Sequence, residues 1–225
     1  MADKKPDVIV ALGDWWDMPS LSSYDKGKKS FEGRMYKSDI AAGNRGMDLF
    51  MAPIKKLKNY RPRLVFLYGN HEARVLRAIE EDRKLDGTIG YQDFNLAKYG
   101  WETHPFLKVV VIDGIAYSHF FPRAASGRIT QTKNGAPNAK DQLKREGRSC
   151  TAGHMQGIDI TPLPLGGRMQ WGLIAGSFYQ HDEDYLGPQG NDHWRGIVIK
   201  HEVQGDGSYD PMLVSLDYLK RRYGR

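Results

Sequence analysis

Val8-Ile9-Val10-Ala11-Leu12-Gly13-Asp14-Trp15-Trp16-Asp17 and Leu64-Val65-Phe66-Leu67-Tyr68-Gly69-Asn70-His71-Glu72 are built alike. Each is a short apolar run, ended by a glycine and followed by side chains that bind metals or protons. Runs of this length, bounded by turn signals, read as buried strands. Glycine lets the backbone turn sharply and brings the next side chain forward. Two more stretches follow the plan: Ile115-Ala116-Tyr117-Ser118 leads into His119, and Ser149-Cys150-Thr151-Ala152 leads into Gly153-His154-Met155-Gln156. In open α/β sheets, ligands bind beyond the carboxyl ends of strands. Four such ends can gather Asp14, Asn70, His119 and His154 around one point. A carboxylate, an amide oxygen and two imidazoles suit a borderline divalent ion such as Mn²⁺, Fe²⁺, Zn²⁺ or Ni²⁺. They suit Ca²⁺ poorly, because Ca²⁺ takes six to eight oxygens. Any one of these motifs alone is an ordinary turn or a buried histidine. Their joint occurrence, in order, carries the reading.

The rest of the chain alternates strands with amphipathic segments, then becomes rich in β. Ser38 is a candidate cap for a helix with Ile40, Met47, Phe50, Ile54 and Leu57 on one face, although Gly43, Gly46 and Pro53 oppose it. A second helix is expected from about Glu72 to Leu85, with Val75, Leu76 and Ile79 inward. Leu107 to Ile112 and Ile115 to Ser118 form a hairpin around Asp113-Gly114. Pro122 to Pro137 reads as loop. Asn138 caps a polar helix ending near Gly147. Gly166-Gly167 is a hairpin turn, and Gln170 to Ala175, Gly196 to Val203 and Met212 to Leu216 read as strands. The class is α/β with a mixed sheet, in a single domain over 1–225.

Composition narrows the function classes. The chain has 225 residues, of which 40% are hydrophobic and 11% aromatic, too many for intrinsic disorder. Cys150 is the only cysteine, so a disulfide scaffold is excluded. No apolar run reaches the roughly 18 residues of a membrane helix, and the start MADKKPD has no apolar signal region. These point to a cytoplasmic protein without a membrane partner. The net charge is +6. Between Arg123 and Arg148, seven basic residues face only Asp141 and Glu146. That excess is either a solvated face or a contact for nucleic acid or another phosphate-bearing partner.

Gly13-Asp14-x-x-Asp17, Gly69-Asn70-His71-Glu72, His119 and Gly153-His154 together resemble the motifs of the calcineurin-like metallophosphoesterase superfamily. The resemblance spans Asp7 to about Gly157. Met18 to Asp25 and His181 to Tyr185 extend it to bacteriophage-encoded phosphoesterases, which would place the protein in host cytoplasm. The family implies a four-layered sandwich of two mixed sheets flanked by helices. It implies a hydrolase, most simply a phosphodiesterase, working through a metal-activated water. Asp14 would bridge two metals, and Asn70, His119 and His154 would complete the second. His71 would be catalytic, orienting the phosphate or protonating the leaving group. Asp17 and Glu72 would fix their neighbours.

The sequence departs from the family twice. No Asp-x-His precedes Asp14, so the usual first strand is expected to be missing. Gln156 stands where the family's last histidine falls. Both changes weaken the first metal, which keeps Asp14 and the Gln156 amide. An exposed Val8–Leu12 edge would then favour a homodimer. Candidate substrate contacts are Arg74, Arg195 and His181. A catalytically weak relative that binds metal or a partner is one alternative function, and a nuclease is another.

Overall fold

A computed structural model describes residues 3–121, 123–125, 128–130, 138–183 and 187–224. The chain divides into two compact units, Met1–Phe106 and Leu107–Arg225. Both combine helices with β-sheet, as a mixed α/β protein.

In the first unit the order is β1 (Val8–Ala11), α1 (Tyr36–Lys56), β2 (Arg63–Leu67), α2 (Arg74–Glu81) and β3 (Glu102–His104). The strands form a parallel sheet in the order β1-β2-β3, so β1 lies at an edge. Leu64 to Leu67 of β2 are all buried, which explains why that run is apolar without alternation. The core gathers around Trp16, whose ring lies 4.5 Å from Phe94 and 5.8 Å from Phe66. Trp15 donates its indole N–H to the Gly43 carbonyl at 3.0 Å and meets Phe50 edge-on at 5.4 Å. Both tryptophans are thus engaged in packing.

Helix α1 starts two residues before Ser38, with Met35 at its N-cap and no side-chain cap. The glycine that argued against this helix has a packing reason. A Cβ on Gly43 would land in the indole of Trp16. Pro53 lies in the last turn, where the helix is about to end. Helix α2 is shorter than the sequence predicts, and a 3₁₀ turn over Arg83–Leu85 follows it. Val75 is buried, but Leu76 is 51% exposed. One helical step turns Leu76 about 100° away from the Val75–Ile79 face, so the inward assignment of Leu76 is corrected.

The second unit begins with β4 (Val110–Ile112) and β5 (Ile115–Ser118). Asp113 and Gly114 both have positive φ, 48° and 77°, as a two-residue primed hairpin turn requires. Next come β6 (Arg123–Ala125) and β7 (Arg128–Thr130), an antiparallel pair within the stretch expected to be loop. Residues 122, 126, 127 and 131–137 of that stretch lie outside the described residues. Helix α3 (Ala139–Glu146) is capped as expected: Asn138 accepts the Asp141 N–H at 2.9 Å, and Gly147 closes it with φ 64°.

The chain continues through β8 (Cys150–Ala152), β9 (Ile158–Leu165), β10 (Arg168–Ala175), α4 (Gly187–Gly190), β11 (Gly196–His201), β12 (Asp210–Ser215) and α5 (Leu216–Tyr223). Five strands form one sheet in the order β4-β5-β8-β10-β9, while β11 and β12 pair separately. Strand β11 stops at His201, because Glu202 turns the backbone with φ 49°. Leu216 starts a helix rather than ending a strand. Ser215 caps that helix by accepting the Tyr218 N–H at 3.1 Å. Lys200 on β11 donates to the Tyr117 hydroxyl at 3.0 Å and to Thr151 Oγ1 at 2.6 Å, beside the rings of Tyr117 and Tyr209. Burial pushes its pKa down to about 7. Cys150 is fully buried on β8, and burial pushes its thiol up to about 12. No helix among the described residues is long and apolar enough to cross a membrane.

Candidate metal and phosphate site

Strands β1 and β2 run in parallel register, with Val10 beside Val65 and Ala11 beside Phe66. Their carboxyl ends therefore deliver Gly13-Asp14 and Gly69-Asn70-His71-Glu72 side by side. The two loops touch so closely that neither glycine can carry a side chain. A Cβ on Gly13 would meet the Gly69 backbone, and one on Gly69 would meet Asp14. Asp14 itself adopts a left-handed backbone, φ 56°. Such conformations in non-glycine residues cost free energy and collect at functional sites.

Glu72 binds these loops together. It is fully buried and accepts four backbone N–H groups. One oxygen takes those of Asp14 at 2.9 Å and Gly69 at 2.8 Å, and the other those of Trp15 at 2.6 Å and Trp16 at 3.0 Å. Burial first, and the Asp14 charge second, push its carboxyl up to about 7, while the N–H groups pull the other way. Asp14 Oδ1 in turn accepts the His71 N–H at 3.0 Å. Arg77 donates to the Asn70 carbonyl at 2.7 Å and steadies the second loop.

The His71 ring is fixed at both nitrogens. Nδ1 lies 2.6 Å from Asp17 Oδ1, and Nε2 lies 3.2 Å from an Arg74 Nη2. A guanidinium can only donate. Nε2 is therefore the acceptor, and the proton sits on Nδ1 facing Asp17. Burial works to lower the His71 pKa, but Asp17 and Asp14 outweigh it and hold it above the usual value. Arg74 is anchored by donating to the backbone carbonyls of Asp17 at 2.8 Å and Met18 at 3.3 Å. The first unit thus brings together Asp14, Asp17, Asn70, His71, Glu72 and Arg74.

In the second unit β5, β8 and β10 are parallel neighbours. Ser118 pairs with Ala152, and Ala152 with Ile174. The register sends His119 and Gly153-His154 off the same sheet edge. The Gly153 N–H donates to the His119 carbonyl at 2.9 Å. His119 is buried, and its Nε2 lies 3.2 Å from His154 Nδ1. The His154 ring also stacks on Phe120, with centroids 5.2 Å apart. Like Asp14, His154 has a left-handed backbone, φ 63°. The 3.2 Å spacing fits two imidazoles sharing one ion, because bonds of about 2.0–2.1 Å set neighbouring ligands roughly 3 Å apart. Gln156 follows two residues later, half-buried.

The other candidates in this unit have partners of their own. Arg195 is tied to Asp182 at 2.9 Å and to the Asn191 carbonyl at 3.2 Å. His181 lies 3.1 Å from Glu183. Asp184 and Tyr185, and much of the Arg123–Arg148 basic stretch, lie outside the described residues or their described side chains. Beside Arg195, the His193 ring meets two residues that sequence reasoning did not single out, Ser177 and Tyr179. The Tyr179 hydroxyl and Ser177 Oγ approach His193 Nε2 at 3.1 and 3.0 Å. A signal for them existed, since Gly176 ends the β10 run much as Gly13, Gly69 and Gly153 end theirs.

No family model matches the chain. It is similar to the Gene 54 protein of Mycobacterium phage L5, at 26% identity over 187 residues, covering 79% of this chain and 69% of that protein. The chain therefore has a bacteriophage relative.

Proposed function

We propose that this protein is a metal-dependent phosphoesterase of the calcineurin-like type, built as the corresponding four-layered sandwich and acting on phosphodiesters. On the first unit Asp14 and Asn70, and on the second His119 and His154, would be ligands for a divalent transition metal, Mn²⁺ foremost. Gln156 would be a weaker ligand. The observation that carries the reading is the buried His119 imidazole facing His154 across 3.2 Å. When bound, such a metal neutralises phosphoryl charge and lowers the pKa of water.

The chain's own residues supply the rest. Asp17 holds the His71 ring by Nδ1 and leaves Nε2 as the reacting nitrogen. Arg74 Nη2 must move off Nε2 before His71 can carry a proton there for the leaving oxygen. Once released, the Arg74 guanidinium is a natural partner for a phosphate oxygen. Glu72 ties together the Gly13-Asp14 loop and the Gly69 turn that precedes Asn70.

The test is equilibrium dialysis with Mn²⁺ beside hydrolysis of bis(p-nitrophenyl) phosphate. Binding should weaken by about tenfold or more in His119→Ala and in His154→Ala, because even supporting residues of metal sites matter by about 10–100-fold. Unchanged affinity in both variants would overturn the ligand assignment. Metal binding without hydrolysis under Mn²⁺, Ni²⁺ or Zn²⁺ would make the chain a binding protein instead.

A further inference from the structure

The sheet edge that carries His119 and His154 has a third occupant. Strand β10 is parallel to β8 and in register with it, so the segment after Gly176 leaves the same edge. That segment reads Ser177-Phe178-Tyr179-Gln180-His181 and places three rings within five residues. It is braced on one side: Ser177 bridges to Arg195, and the Gly196 N–H donates to the Ser177 carbonyl at 2.8 Å. Tyr179 stacks on His181 with centroids 4.7 Å apart and planes at 25°. The Arg195 guanidinium lies 4.8 Å from the same tyrosine ring. Planar groups are thus already layered, and the layer ends in solvent, where the His181 side chain is 66% exposed. Phe178, next in sequence to Tyr179, is 54% exposed. A braced strand end has no packing reason to hold two aromatic rings in water.

We infer that this aromatic strand end is a platform for a nucleobase, so that the phosphodiester taken by the neighbouring histidines belongs to a nucleotide or a single strand of nucleic acid. The inference rests on the phosphoesterase reading for its substrate, and on the stack alone for the base. Every base has a flat π-face, and a base–aromatic contact is worth enough to change affinity by about 5–150-fold. Asp182 and Glu183 hold Arg195 and His181 through side-chain contacts, so the layer is organised before ligand arrives. Ordering costs at binding fall accordingly.

The experiment compares thymidine 5′-(p-nitrophenyl phosphate) with methyl p-nitrophenyl phosphate, which share a leaving group and differ in the nucleoside. The parent should prefer the nucleoside ester in kcat/KM by about tenfold or more. In Phe178→Ala and His181→Ala that ratio should fall towards one. A parent without preference, or variants that retain it, would overturn the platform while leaving the phosphoesterase reading intact. Loss of hydrolysis with both esters in the parent would strike the phosphoesterase reading alone. Equilibrium binding then decides the platform: thymidine 5′-monophosphate should bind at least about fivefold tighter than ribose 5-phosphate, and the variants should abolish the difference. Equal binding of the two ligands by the parent refutes it.

Discussion

Replacing Glu72 by glutamine tests the architecture of the first unit without reference to any ligand. The substitution preserves shape but halves the accepting capacity. A glutamine oxygen can take two of the four N–H groups from Asp14, Trp15, Trp16 and Gly69. Its amide N–H₂ must then face the other two, donor against donor. Above about pH 7, where Glu72 is ionised, hydrogen bonds to it contribute about 1.5–3 kcal/mol each, so at such pH losing two costs about 3–6 kcal/mol. The gain from no longer burying a charge offsets part of this, which places the outcome near the lower figure. At about 2–4 °C per kcal/mol for a chain of this size, melting should fall by roughly 6–12 °C. Tryptophan fluorescence reads the event directly, since Trp15, Trp16 and Trp101 all belong to the first unit. A Glu72→Gln protein melting within about 2 °C of the parent would refute the claim that this carboxylate ties the two loops together.

Lys200→Met should remove a pH dependence of stability. The folded pKa of about 7 lies below the ordinary 10.5, so the unfolded chain binds more protons between those values, and parent stability should rise as pH climbs from about 7 towards 10. Urea melts at pH 6 and pH 9 should differ in the parent by up to a few kcal/mol, about 3, and differ less in the variant. His71→Ala should lower turnover by about 10²–10⁴-fold while metal content measured after dialysis stays unchanged; metal loss would make His71 a ligand. Gly43→Ala should destabilise the first unit although it raises helix propensity, because the new methyl group displaces the Trp16 indole. A higher melting temperature would show that the core yields there.

The strands and their ends were readable because burial and turning leave local marks. Apolar runs closed by glycine located β1, β2 and β8, a run closed by a histidine located β5, and the residues after them are neighbours within each unit. Asp113-Gly114, Asn138 and Gly147 were equally plain, since each performs a backbone task few other residues can. What escaped depends on distant partners. Gly43 looked like a helix breaker because its reason, the Trp16 ring, lies in another loop. Leu76 looked inward because a two-residue apolar pair does not tell which member faces the core. The capped helix α5 hid behind the apolar start of its preceding strand. In the candidate site, residue types were legible, but the four donors on Glu72 and the contact of Arg74 with His71 exist only in three dimensions.

Cys150 has a practical consequence for following this protein in solution. Thiol reagents attack the thiolate, and this sulfur is both buried and held far from ionisation at neutral pH. The native chain should accordingly resist maleimides. A cysteine introduced at an exposed position such as Leu49 or Val203 would take up a label alone, with no need to remove the natural one.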